Sequence, residues 1–469
     1  MFRPTFLFMA LCASMMLTIH DQATAAVTPH GLFTDNAVLQ RGAKSPVWGT
    51  TDKPEKVTVK IAGKEASAEP KDGKWRVELP GLEAGGPHTL AISQGDQNIE
   101  LKNILIGDVW ICGGQSNMQW SLKDTFSPQE AISNSANEKI RLITIQRRGN
   151  PQQPESNISN AKWELCNPDT VPGFTAVGYY FGRDLQKALN VPIGLINSNI
   201  GGTTAERWMS KEAIESNPEL KDMSKPQGAT DLYNAMVAPL APYGVKGAIW
   251  YQGESNADRA VQYRALLPAM IKSWRDTFGQ GEFPFLVVQL APFMAITNEP
   301  TDSAWAELRD AQLYTARNVP NAGLAVITDV GDEKDIHPQK KEPVGARLAL
   351  AARAIAYGEK IPYSGPLYDS MTVDGNKAVL SFKHVGAGLE AREGDLKGFT
   401  IAGEDKKFQN ANAKIEGDKI VVWSDKVEKP AAVRFGWANY PVVNLWNKDG
   451  LPASPFRTDN FELTTQTKK

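Results

Sequence analysis

Short apolar runs recur through the middle of this chain, at residues 108–111, 141–145, 193–198, 245–251, 285–290 and 324–328, with stretches of helical periodicity between them. Strands that are apolar throughout, instead of alternating, must be covered on both faces. Strands that alternate with helices imply parallel pairing through crossovers. One helix is explicit: Val261, Leu266, Leu267, Met270, Ile271 and Trp274 form a single apolar stripe after Asn256-Ala-Asp-Arg. The middle of the chain is therefore expected to be an α/β domain with a parallel sheet between helical layers.

The flanks read differently. Before the middle zone, alternating runs at 56–61, 75–79 and 89–92 are separated by the turn signals Asp72-Gly73 and Gly85-Gly-Pro87, as in a small β-sandwich. Runs at 377–382, 419–423 and 432–437 bring strands back near the C-terminus. A chain of 469 residues exceeds one ordinary domain. The expected division is a leader over 1–26, a β-sandwich-like region over 27–106, an α/β domain over 107–360 and a β-rich region over 361–469.

The leader follows from Arg3, a short apolar run over 6–19 and an Ala23-Thr-Ala25 cleavage signal. Leu11 stands where a lipobox needs a small residue, so lipidation at Cys12 is not expected. The apolar run is too short to span a bilayer comfortably, which predicts export to the periplasm or the medium with no membrane insertion. A net charge of −2, with the signs interspersed, disfavours nucleic acid as a partner. Cys112 and Cys166 remain after the leader, too few for a disulfide framework, and Cys112 reads as a buried free thiol. Twelve Trp suit either a core or a sugar-binding surface.

The chemistry collects where the strands end, which is where open α/β sheets place ligands. The first strand runs into Gly113-Gly-Gln-Ser116, and the glycines allow a turn sharp enough to present the Ser116 hydroxyl. Of five histidines only His337 lies in the α/β zone, in Asp335-Ile-His-Pro338 after the last strand. A strand-end serine with a His and a carboxylate supplied far downstream is the layout of a nucleophilic hydrolase, here an esterase. Gly114-Gln-Ser-Asn-Met118 lacks the second glycine of the G-x-S-x-G elbow, which disfavours the common α/β-hydrolase fold. Two further strand ends, Ser198-Asn-Ile-Gly-Gly-Thr-Thr204 and Gln252-Gly-Glu-Ser-Asn256, carry suitable oxyanion donors. These are the backbone N–H groups at Gly201 and Gly202 and the Gln252 or Asn256 amide, beside that of Ser116.

Gly114-Gln-Ser-Asn-Met, Trp250-Tyr-Gln-Gly-Glu-Ser-Asn256 and Asp335-Ile-His-Pro338 together resemble the sialate O-acetylesterase family of SGNH/GDSL-type hydrolases. Val38-Leu-Gln-Arg41, Pro46-Val-Trp-Gly49 and Gly450-Leu-Pro-Ala-Ser-Pro-Phe-Arg457 extend the resemblance to both ends of the mature chain. It implies an SGNH-like three-layer α/β/α domain flanked by β-rich regions. The implied activity is removal of O-acetyl groups from sugars without metal or organic cofactor, with Ser116 as nucleophile and His337 as general base. The general SGNH pattern puts its acid three residues before the His, where this chain has Lys334. Asp335, two before, and Glu254, in the Gln-Gly-Glu segment, therefore compete for the third position. The usual Asn of the third SGNH block is displaced as well, which makes Gln252 a candidate oxyanion donor.

The family name points to 9-O-acetylated sialic acid as the substrate, with acetylxylan or other plant-polysaccharide esters as the alternative. A sialate carboxylate favours a bidentate Arg, and Arg207 is the candidate. Two other classes compete: a non-catalytic carbohydrate-binding protein, and a glycoside hydrolase drafting Glu254, Asp332 and Asp335 as paired carboxylates. The first leaves the Ser and His strand ends unexplained, and the second leaves the serine idle.

Overall fold

The computed structural model describes Met1 and residues 27–226 and 228–466, so the expected leader, beyond Met1, lies outside the described residues. The apolar runs of the middle zone form strands close to where the sequence places them. In spatial order these are Asn137–Thr144, Ile193–Asn199, Gln97–Gly114, Gly247–Tyr251, Phe285–Val288 and Ala322–Ala325. Every neighbouring pair in that series is parallel, and a short antiparallel strand, Glu164–Cys166, closes one edge.

Burial on both faces explains why these strands are apolar throughout. Successive residues point to opposite faces. Trp110, Cys112, Ile249, Tyr251, Leu286 and Val288 pack beneath the helices Ala176–Leu189 and Glu342–Tyr357. Val109, Ile111, Ala248, Trp250, Phe285 and Val287 pack beneath Ala260–Phe278 and Ala304–Asn318. Each fully buried side chain of this kind contributes about 1.5–3 kcal/mol. The expected stripe on Ala260–Phe278 is the buried one, with Leu266, Leu267, Met270, Ile271 and Trp274 all at 0% exposure and Val261 partly exposed. The result is a three-layer α/β/α sandwich.

The strand that ends at the serine is unusually long. Its first half pairs antiparallel with Gly85–Gln94 in the N-terminal β region and parallel with Val38–Gln40, and its second half is the third strand of the parallel series. The division expected between residues 106 and 107 thus falls inside one continuous strand, and the apolar core runs on from one region into the other. Asp72 and Gly73 do form a tight turn, with φ of 50° and 72°. The segment at Gly85-Gly-Pro87, expected as a turn, is instead the irregular start of Gly85–Gln94, where the register shifts. The C-terminal region folds into small antiparallel sheets, including Leu367–Asp374, Lys377–Lys383, Lys419–Trp423 and Asn412–Glu416 in that spatial order.

Of the tryptophans, Trp110, Trp163, Trp208, Trp250 and Trp274 are among the largest fully buried side chains, so much of the Trp content is core. Cys112 and Cys166 are both buried and unpaired, as read for Cys112, and burial raises both thiols, Cys166 to about 12. Among the described residues no helix is long and apolar enough to cross a membrane.

Candidate active site

The serine turn is made by the two glycines before it. Gly114 has φ of 142°, and a Cβ there would lie 2.2 Å from the Tyr251 carbonyl oxygen, closer than any side chain is tolerated. With no side chain at Gly114, the Gln115 N–H reaches that same oxygen at 3.0 Å. Ser116 then opens a four-residue helix, Ser116–Gln119. Its N–H is at the first helical position, where no intrahelical acceptor exists. Gly201 lies against the serine, since a Cβ on it would come within 3.3 Å of the Ser116 Cβ.

His337 arrives from the loop after the last parallel strand. Its Nε2 lies 2.8 Å from Ser116 Oγ, the distance at which a serine proton can be taken. Trp120, one turn past the nucleophile, stacks on the imidazole with centroids 5.2 Å apart and planes 18° from parallel. Asp335 reaches the far side of the ring. The two-residue spacing succeeds because the segment is turned, not extended: Asp335 Oδ1 accepts the His337 backbone N–H at 2.8 Å, which folds the carboxylate back to 3.4 Å from Nδ1. That separation is longer than a charge-assisted bond, and the Asp335 side chain is 47% exposed.

Glu254 has a different partner. Its Oε1 accepts from Asn117 Nδ2 at 2.6 Å, and its Oε2 is buried with no hydrogen bond. Asn117 Nδ2 also donates to the Ile336 carbonyl at 3.0 Å, while its Oδ1 accepts from the ammonium of Lys341. The residue after the nucleophile therefore ties together the serine turn, the Glu254 turn and the histidine loop. Burial raises the Glu254 carboxyl, opposed by its Asn117 bond and by Lys341. Burial lowers Lys341 to about 7, opposed by Glu254 and Asp335. His337 is held below the ordinary imidazole value, first by burial and then by Lys341, with Asp335 acting the other way.

The expected oxyanion donors sit at different depths. Gln252 is fully buried, and its amide donates to Thr203 O at 3.1 Å and to Asn256 Oδ1 at 2.7 Å. Asn256 accepts the Ala205 N–H and donates to Glu206 at 3.0 Å. Gly201 N–H donates to the exposed Gln119 Oε1 at 2.8 Å, and Gly202 follows in a left-handed turn with φ of 68°. Arg207 gives both arms of its guanidinium to buried Asp231, at 2.9 and 2.7 Å, and Arg147 joins the same carboxylate. Among the described residues no cluster of His, Cys, Asp and Glu is arranged to hold a metal ion.

The sequence pattern missed Asn117, Trp120 and Lys341. The first two lie in or beside the Gly114-Gln-Ser-Asn-Met118 segment, where a polar residue and an aromatic next to a nucleophile could have been noticed. Lys341 carries no such signal, because a lysine four residues past a histidine reads as surface.

Residues 106–354 match the family model described as carbohydrate esterase, sialic acid-specific acetylesterase. The chain is 31% identical over 478 residues to the sialate O-acetylesterase of Homo sapiens, covering 90% of this chain and 91% of that one. The Mus musculus sialate O-acetylesterase is 30% identical over 503 residues, covering 90% and 93%. A solved carbohydrate acetylesterase from Xanthomonas citri superposes with a TM-score of 0.87 at 41% identity, over 93% of this chain and 100% of the other. The family model covers more than half of the chain and the relatives span nearly all of it, so the chain belongs to the sialic acid-specific acetylesterase family of carbohydrate esterases.

Proposed function

We propose that the enzyme removes acetyl groups from O-acetylated sugars by a serine mechanism, with 9-O-acetylated sialic acid as its substrate. The observation that carries the mechanism is the 2.8 Å contact between His337 Nε2 and Ser116 Oγ. Ser116 Oγ attacks the acetyl carbonyl as His337 takes its proton, and His337 returns that proton to the departing sugar hydroxyl. Water then repeats the sequence on the acetyl-serine and releases acetate. Asp335 is the third member, since its carboxylate lies on the Nδ1 side and Glu254 is bonded to Asn117. The developing oxyanion is received by the Ser116 N–H and Asn256 Nδ2, joined by Gly201 N–H once the exposed Gln119 side chain that accepts it is displaced. Gln252 supports them from below, and Gly202 shapes the turn. Arg207 is already paired with Asp231, which leaves a substrate carboxylate to other donors. The leader read over 1–26 supports export to the periplasm or medium, and the regions 27–106, 107–360 and 361–469 are proposed as the units of the chain, the first two joined through the strand Gln97–Gly114.

Acetate release from 9-O-acetylated sialic acid and from acetylated xylan, each with and without EDTA, tests this reading. Faster release from the sialic acid, unchanged by the chelator, is expected. Preference for xylan would reassign the substrate, and activity lost to EDTA and restored by a divalent ion would overturn the metal-free serine mechanism.

A further inference from the structure

Lys341 is fully buried at the start of the helix Glu342–Tyr357, and among the described residues it makes no ion pair. Its ammonium bonds the Asn117 side-chain oxygen and lies 5.3 Å from the Tyr251 ring centroid and 5.9 Å from that of Trp120. A buried cation without a contacting carboxylate carries a large desolvation cost, so its place needs a reason. Asn117 supplies one. The lysine takes up the Asn117 oxygen, which orients the amide hydrogens toward Glu254 Oε1 and the Ile336 carbonyl. One of those contacts grips the residue before His337, and the asparagine itself follows Ser116.

We propose that Lys341 is a positioning residue for the acyl transfer: through Asn117 it fixes Ser116 and His337 relative to each other. This deepens the serine reading and rests on it. The charged groups acting on His337 are Asp335 and Lys341, and those acting on Lys341 are Glu254 and Asp335. Burial lowers Lys341 only to about 7, so it still carries its proton over the acidic range in which His337 titrates. Removing that positive charge lets His337 hold its proton to higher pH.

The test compares Lys341→Met, Lys341→Arg, Asn117→Ala and Ser116→Ala in one acetyl-ester assay, with melting temperature recorded for each. Lys341→Met should lower kcat by about 10²-fold with little change in KM, the size expected from slight misplacement of reacting groups. It should also move the acid limb of kcat/KM to higher pH. Lys341→Arg should lose kcat while keeping the limb in place, because the charge survives and the fit does not. Asn117→Ala cuts the same link from its other end, so it should lose kcat with the limb unmoved, and it serves if Lys341→Met does not fold. Wild-type kcat in either Lys341→Met or Asn117→Ala would overturn the proposal. So would a Lys341→Met loss that shows only in melting temperature, with the limb unmoved. If Ser116→Ala keeps its turnover, the serine reading itself has failed, and that result is separable from the others.

Discussion

The serine turn and the histidine loop bring the two reacting groups together from opposite structural circumstances. Ser116 sits on a turn buried in the sheet, fixed by the Gly114 approach to Tyr251 and by the Asn117 bonds. His337 rides a loop whose acid, Asp335, is 47% exposed and 3.4 Å from Nδ1. The serine is held by packing, whereas the histidine is held by one stacked Trp, one folded-back carboxylate and the Asn117 bond to Ile336. A reactive hydroxyl must not move, while its base has to take up and return a proton twice per turnover.

The most severe way to break this comparison is on the serine side. Ser116→Ala should lower kcat by roughly 10⁴-fold or more while leaving the circular dichroism spectrum unchanged. A folded variant with near-normal turnover would mean that the turn presents no nucleophile.

The histidine side should respond less and in a graded way. An acid that fixes the imidazole tautomer in a buried triad supplies about 10⁴-fold in kcat. Asp335→Asn should lose less than that, since solvent screens an exposed pair. Glu254→Gln should lose less again, because the Gln oxygen still accepts from Asn117. Measuring kcat for both variants beside wild type ranks them. A larger loss at Glu254 would transfer the third position to the buried carboxylate and erase the contrast between the two regions.

The smallest expected effect is in the pH profile. His337 must be neutral to accept the serine proton, and the site holds its pKa below the free value of about 6.5. Protonation therefore sets in at lower pH than for free imidazole. The acid limb of kcat/KM should lie on the acidic side of that value and move upward in Asp335-retaining variants that lose Lys341. A wild-type limb above the free imidazole value would show that Asp335, which acts in the raising direction, outweighs burial.

Much of this was legible along the chain. The apolar runs located the parallel strands to within a few residues because strands covered on both faces leave a continuous signal. Ser116 and His337 stood out because each follows such a run, and Gly113-Gly114 announced the turn. Which carboxylate serves the histidine was not legible. Asp335 reaches Nδ1 only through the fold-back onto the His337 N–H, and Glu254 meets Asn117 only because the strands Gln97–Gly114 and Gly247–Tyr251 are neighbours. The division at 106–107 was drawn from a change in pattern, yet one strand carries both patterns, since pairing partners and not the strand itself decide which face is covered.

The sequence by itself determined the fold class and set Ser116 and His337 each after an apolar run, because local backbone chemistry and apolar periodicity are written into neighbouring residues. The tertiary structure alone showed what Asp335, Glu254, Gln252 and Arg207 touch, and it alone revealed the contacts of Asn117 and Lys341. The Asn117 contacts join residues more than a hundred apart, Glu254 at a separation of 137 and Lys341 at 224, whereas Asp335 depends on a local fold-back that residue spacing alone does not reveal. A lysine's default place is in water, and only the packing around Trp120 and Tyr251 shows that this one is inside.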